Sequence, residues 1–202
     1  MRMRALKFLP RMKEKAGSEH YVPASLECAS FTAAELNDPL NTGYLASIVE
    51  QIVAAEAPVS LGLLSVRLAS LCGIARVTPK IRERVQYLCD LKKIKSYEEG
   101  ERVFFWGSLS PDTYTGYRCH DDSCKRDPSD ISCIEAANAI LKALTVQYGM
   151  PKEDSLAEGA KLLGFKRMTE QVKALMISGF ESGLGSDKFS VDDRGWAVTA
   201  EK

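Results

Sequence analysis

Ala69-Ser-Leu-Cys-Gly-Ile-Ala-Arg-Val-Thr-Pro-Lys-Ile81 and, 91 residues later, Ala160-Lys-Leu-Leu-Gly-Phe-Lys-Arg-Met-Thr-Glu-Gln-Val172 are two ungapped copies of one pattern. Identities fall at Ala69/Ala160, Leu71/Leu162, Gly73/Gly164, Arg76/Arg167 and Thr78/Thr169, and apolar character is kept at Ile74/Phe165 and Ile81/Val172. Each copy reads as helix, tight turn, helix. Gly73 and Gly164 follow an apolar helical run where a left-handed C-cap is wanted, and glycine enters that conformation without a Cβ penalty. Thr78 and Thr169 then stand at the N-cap of the next helix, the first backed by Pro79 at the favoured first position. Ile81, Val85 and Leu88 in one copy, and Val172, Met176 and Phe180 in the other, set the inward stripe.

Outward from this unit the repetition continues. Leu45, Ile48, Val49, Ile52 and Val53 predict a helix ending near Ala57-Pro58, and Ile134, Ala137, Leu141 and Leu144 predict another ending near Gly149-Met-Pro151. Ser132-Cys-Ile-Glu135 reads as a capping box for the latter, and Thr32-Ala-Ala-Glu35 as one for a short extra helix. After the third helix come Ile94-Lys-Ser-Tyr97, a Glu/Gly turn and Val103-Phe-Phe-Trp106; the second copy offers Phe189-Ser-Val191, Asp192-Asp-Arg-Gly195 and Trp196-Ala-Val198. Three helices closed by a hairpin, made twice, is the winged-helix order. The expected fold is therefore mainly α with small β-hairpins, an α+β class of tandem winged helix-turn-helix domains. Residues 1–25 form a flexible basic arm, 26–108 the first domain, 109–131 a linker and 132–202 the second domain. Trp106 and Trp196 are expected to close the core beneath the two wings.

Ile48-Val-Glu-Gln-Ile-Val-Ala-Ala-Glu-Ala-Pro58-Val, Arg67-Leu-Ala69, Ile81-Arg-Glu-Arg84, Glu135-Ala-Ala-Asn-Ala-Ile140 and Leu162-Leu-Gly-Phe165 carry a family likeness. Over about residues 40–200 the chain resembles the uncharacterised C-terminal, winged-helix-like domain of large prokaryotic superfamily I helicase-like proteins, which often also carry a restriction-endonuclease-like domain. The resemblance implies architecture and a link to a helicase or nuclease system. It does not bring the motor, since no Gly-x-x-x-x-Gly-Lys-Ser/Thr loop is present, nor an acidic nuclease constellation.

Composition narrows the function classes. With 45% hydrophobic residues among 202, the chain can bury a core, which excludes disorder throughout. No apolar run approaches the roughly 18 residues that span a bilayer, and the apolar part of the first ten is too short for a signal peptide, so the expectation is a cytoplasmic protein with no membrane contact and reduced thiols. Twenty-seven basic residues balance 27 acidic ones, so only local charge can draw nucleic acid. Two basic segments stand out: Arg2 to Lys15, and Arg76 to Lys95.

The second segment could present a DNA-contacting third helix. Glu83, Gln86 and Asp90 occupy its outermost positions, however, so phosphate contact fits better than base reading: Arg76, Lys80, Arg82, Lys92, Lys93, Lys95 and Arg102 are the candidate nucleic-acid residues, with Lys92, Lys93, Lys95 and Arg102, at the helix end and wing, the better phosphate contact. The plainer alternative is a solvated face with terminal lysines complementing the helix dipole. The corresponding helix of the second copy exposes Glu170, Lys173, Ala174, Ile177 and Ser178, a face better suited to protein contact. Cys119, His120, Cys124 and Cys133 could supply zinc ligands, but the spacing is no clean knuckle and loop thiols are the default. Only His20 and His120 offer imidazole bases, no Gly-x-Ser-x-Gly elbow occurs, and Asp121-Asp122 and Asp192-Asp193 read as turn-formers. The expectation is a non-catalytic, cofactor-free accessory module on duplex DNA; the alternative is a protein-interaction or homodimerisation module serving a helicase or nuclease partner.

Overall fold

A computed structural model describes residues 18–26 and 31–199. The basic residues from Arg2 to Lys15, and Cys28, lie outside the described residues. The chain enters as β1 (Ser18–His20), then α1 (Ala33–Asn37), where Thr32 and Glu35 form a reciprocal capping box. α2 (Thr42–Glu56) buries Leu45, Ile48, Val49, Ile52 and Val53, the stripe that its sequence spacing predicts. β2 (Val59–Ser60) leads into α3 (Leu61–Leu71), whose N-cap Ser60 accepts from Leu63 N at 2.9 Å. α4 (Pro79–Leu91), β3 (Ser96–Glu99) and β4 (Arg102–Phe105) complete the first half.

β5 (Tyr117–Cys119) crosses between the halves, and α5 (Cys133–Gln147), β6 (Met150–Pro151), α6 (Lys152–Leu163), α7 (Glu170–Gly185), β7 (Phe189–Val191) and β8 (Trp196–Thr199) follow. The offset of 91 residues carries α2 onto α5 and β2 onto β6 end for end. Each half makes a separate three-stranded antiparallel sheet in the same order, β2-β4-β3 and β6-β8-β7. The class is α+β.

The turn inside each copy is built alike. Gly73 (φ 64°) and Gly164 (φ 102°) are left-handed, and the following residue reaches back, Ile74 N to Ala69 O and Phe165 N to Ala160 O, both at 3.0 Å. Two main cores result, one per half. Full burial of a side chain such as Phe105 in the first, or Met176 in the second, contributes about 1.5–3 kcal/mol.

Between the cores the chain adds a junction. β1 pairs with β5 in parallel, Ser18 opposite Tyr117, so part of the segment expected as an arm and part of the segment expected as a linker form one ribbon. Phe104, Trp106 and Ile134 form a small third cluster with Leu109 and Tyr114 at its edge. This covers the outer face of the first sheet with the start of α5. Glu135, wholly buried, takes Arg118 through Nε and Nη2 at 3.1 Å each and Arg126 through Nη1 at 2.7 Å. Burial alone would raise the Glu135 pKa; the two guanidiniums override it and hold the carboxyl down at about 2. Arg118 also donates to Glu56 O at 2.7 Å and Pro58 O at 2.9 Å, tying the first half to the second.

Three local expectations need correction. Ser132 accepts from Glu135 N at 3.1 Å, but the Glu135 carboxylate serves the arginines rather than returning to Ser132 N, so only half of the capping box forms. The first strand of the first hairpin starts later than Ile94, because Ile94 N is bonded to Cys89 O in the helix-ending turn. Trp106 is buried, in the junction cluster rather than in the first core, while Trp196 is 37% exposed and closes no core.

Candidate nucleic-acid interface

The face that α4 shows to solvent is set by what it buries. Ile81, Val85, Leu88 and Cys89 point inward, and the intervening Arg84 is drawn to the core edge, donating to Leu36 O at 3.0 Å and to the Thr42 hydroxyl at 2.8 Å. Lys80, Arg82, Glu83, Tyr87, Asp90 and Leu91 are left exposed. The acid expected at mid-face is there, with Gln86 donating to Asp90 at 2.9 Å.

The seven candidate cations fall into three groups. Arg76 on the α3–α4 turn, with Lys80 and Arg82 in the first turn of α4, is exposed, and none of the three has an ion pair among the described residues. Lys93 and Lys95 are exposed and unpaired in the same sense at the other end of the helix; 13 helical residues separate the two groups by about 20 Å. Lys92 and Arg102 are engaged. Lys92 Nζ lies 2.8 Å from Glu50. Arg102 is half-buried, donates to Glu99 and to Ile131 O at 3.3 Å each, and lies over the Phe104 ring at 5.4 Å, so it braces the junction. The tip of the first hairpin carries Glu98 and Glu101, both exposed, a poor approach for phosphate.

The N-terminal group has a specific electrostatic oddity. A helix N-terminus carries the positive end of the macrodipole and favours acids. α4 has no acidic residue in its first turn, and Lys80 and Arg82 stand there against the dipole. Lys92 and Lys93, at the C-terminus, are placed where helix stability alone would put them.

Among the described residues no three His, Cys, Asp or Glu side chains cluster to hold a metal. Cys119 Sγ lies 3.5 Å from the carbonyl of its neighbour His120, and burial, with Glu99 nearby, pushes the Cys133 thiol up to about 11. His120 is buried edge-on to Phe165 at 4.6 Å, its Nδ1 without a partner, and burial followed by Arg126 lowers its pKa. Asp121 and Asp192 each accept from backbone N–H groups two residues on, at 2.8 and 3.0 Å, as turn-formers do. Sequence reasoning missed the exposed Tyr87 and Leu91 beside the acids of α4, and missed the Arg118, Arg126 and Glu135 junction, whose members show no periodic pattern.

No helix among the described residues is long and apolar enough to cross a membrane. No curated protein and no solved structure matches the chain. Residues 34–83 match a family described as a protein of unknown function (DUF3320), so the likeness runs from α1 into the first turns of α4 and takes in Arg76, Lys80 and Arg82.

Proposed function

We propose that each half is a winged helix-turn-helix unit and that the first contacts duplex DNA through backbone phosphates, as a non-catalytic accessory module of a helicase or nuclease system. The observation that carries this reading is the trio Arg76, Lys80 and Arg82, exposed, unpaired among the described residues, and set against the dipole of α4. Cations that work against helix stability are explained by an anion outside the protein. Lys93 and Lys95, about 20 Å away, reach past the edge of a major groove about 12 Å wide to phosphates of the other strand. Glu83 and Asp90 between them keep α4 from reading bases, so binding is insensitive to sequence. Lys92 and Arg102 act mainly within the fold. The link to a helicase or nuclease system rests on the family resemblance.

The test is anisotropy of a labelled duplex titrated with the full chain across salt. Lys80→Glu with Arg82→Glu lowers affinity at least about tenfold at low salt and flattens the slope of log affinity against log salt by about 2, whereas Lys173→Glu in the second half leaves both unchanged. Absence of binding at low salt ends the proposal.

Tyr87 and Leu91, each about half exposed on α4, favour a second reading, a protein-interaction or homodimer surface on the same helix. Light scattering separates the two: a dimer dispersed by Tyr87→Glu and Leu91→Glu, with no DNA binding, supports the second.

A further inference from the structure

His120 follows β5 and pins the crossing segment to the second half. Its N–H donates to Leu163 O at 3.0 Å, at the end of α6, and its ring stands edge-on to Phe165 at 4.6 Å. The residue is 7% exposed, and Nδ1 is buried without a hydrogen-bond partner among the described residues. The segment then turns back to Arg126, whose guanidinium gives Nη1 and Nη2 to Glu135 at 2.7 and 2.9 Å and leaves Nε, also buried, without a partner. Arg126 lies over the Tyr21 ring at 4.7 Å, so the first strand of the chain is packed into the same place.

The charges that act on the His120 ring decide which protonation state fits. A neutral imidazole leaves a bare lone pair at Nδ1, whereas a protonated one puts an N–H there with nothing to accept it. No acid is free to move in. Both oxygens of Glu135 are spent on Arg118 and Arg126. Asp121 is exposed, accepts from Ser123 N and Cys124 N at 2.8 and 3.1 Å, and faces His20 Nε2 of β1 at 3.0 Å. Asp122 is taken by Lys125 and by Lys166 of the α6–α7 turn. Burial, and after it Arg126, lowers the His120 pKa below the ordinary 6.5; Lys125 acts in the same direction, Asp121 and Glu135 against it.

We propose that His120 is an acid-operated latch between the two halves: neutral, it closes residues 120–126 over the second half, and protonated it releases them while both cores stay folded. Release begins between two cations, the imidazolium and the Arg126 guanidinium, in a place without a counter-ion for the first. Arg126 is half of the hold on Glu135, so its departure leaves Arg118 alone there and loosens the bonds of Arg118 to Glu56 O and Pro58 O in the first half. Neither His120 nor Arg126 is a member of an apolar core cluster, so the cores are spared. The closed imidazole binds its proton more weakly than the free one. Closure is therefore complete above about pH 6.5 and is lost as pH falls below it, the open fraction rising about tenfold for each pH unit inside the window. Glu135 stays charged throughout, because its own pKa is held down at about 2.

The test uses the intact chain, with a chelator present, stepped from about pH 7.5 to about pH 5. The chain has two histidines, so the imidazole signals of His20 and His120 titrate separately in the NMR spectrum. Exchange at each backbone amide is read alongside and corrected for its intrinsic dependence on pH. As His120 takes up its proton, exchange speeds at least about tenfold at His120 N, bonded to Leu163 O, and at Arg118 N, bonded to Glu135 Oε1, while Val85 in α4 and Met176 in α7 keep their protection. His120→Gln, neutral at every pH, abolishes the change, and His20→Gln leaves it in place. Titration of His120 without loss of protection overturns the proposal, as does an imidazole that does not titrate in this range. A loss that persists in His120→Gln overturns it too, and a loss equal at Val85 and Met176 is unfolding of the whole chain, not release. If the glutamine variant does not fold, the titration of the natural chain decides alone.

Discussion

α4 and α7 hold the same place in their halves and begin differently. Thr169 caps α7 by accepting from Val172 N at 3.3 Å, and Glu170 follows in the first turn. Thr78 makes no side-chain cap bond and no acid follows it; Lys80 stands where α7 has Gln171, while Arg82 has a cationic counterpart in Lys173. At the cap and the residues next to it the second half obeys the rules of helix stability and the first half breaks them. Sequences depart from local consistency where something other than folding is served, and the departure coincides with the cations of the proposed DNA contact. The reverse holds over the outer faces of the two small sheets, where Phe104 is sealed and Trp196 is not. There the first half is closed by its own chain, and the second leaves a tryptophan half-open.

The largest test of this division lies at the junction. If Arg118 and Arg126 close the first half onto the second through Glu135, then Glu135→Ala strands two buried guanidiniums and costs about 3–5 kcal/mol, read as a loss in urea midpoint. The linkage is signed. The folded-state pKa, about 2, lies below the ordinary 4.5, so the stabilisation is fully present above about 4.5 and is lost as pH falls toward 2. A stability profile flat from pH 5 to 2, or a cost below about 1 kcal/mol for the alanine variant, would mean that the halves are not held this way.

The two turn glycines sharpen the comparison next. Nothing lies within 4 Å of a Cβ built on Gly73, whereas one built on Gly164 would meet His120 O at 2.0 Å. Gly73→Ala should therefore cost only the left-handed penalty of about 1 kcal/mol. Gly164→Ala adds a backbone collision with the β5 segment, for about 2–5 kcal/mol in all. Equal costs would show that the crossing segment does not press on the second turn.

That asymmetry also marks where sequence reading ends. Gly73 and Gly164, the threonines and the apolar stripes were legible because helix ends and helix faces are local, repeating within one or two turns. The offset they gave carries whole elements onto one another. What covers each copy is not local. Arg118 and Glu135 stand 17 residues apart in a segment without period, and Tyr21 meets Glu56 across 35 residues. Trp196 and Trp106 looked alike in sequence as hairpin tryptophans; only register shows that Trp196 matches Phe104 instead. Of the seven candidate cations, Lys92 and Arg102 could not be set apart from the rest, because Glu50 and Ile131 lie far off in the chain.

The smallest effect tests the opening contrast itself. Removing a working threonine cap costs about 1 kcal/mol, or about 2–4 °C in a chain of this size, so Thr169→Ala should lower the melting temperature by that much. Thr78→Ala removes a hydroxyl that makes no cap bond and should change it by less than about 1 °C. Because both sites are at the protein surface and each follows an equivalent turn, other contributions largely cancel between them. If the two substitutions cost the same, α4 is capped as well as α7 and the first half is not giving up helix stability at its cationic end. The case for an external anion there would then rest on exposure and charge alone, and the double glutamate variant at Lys80 and Arg82 would have to carry it.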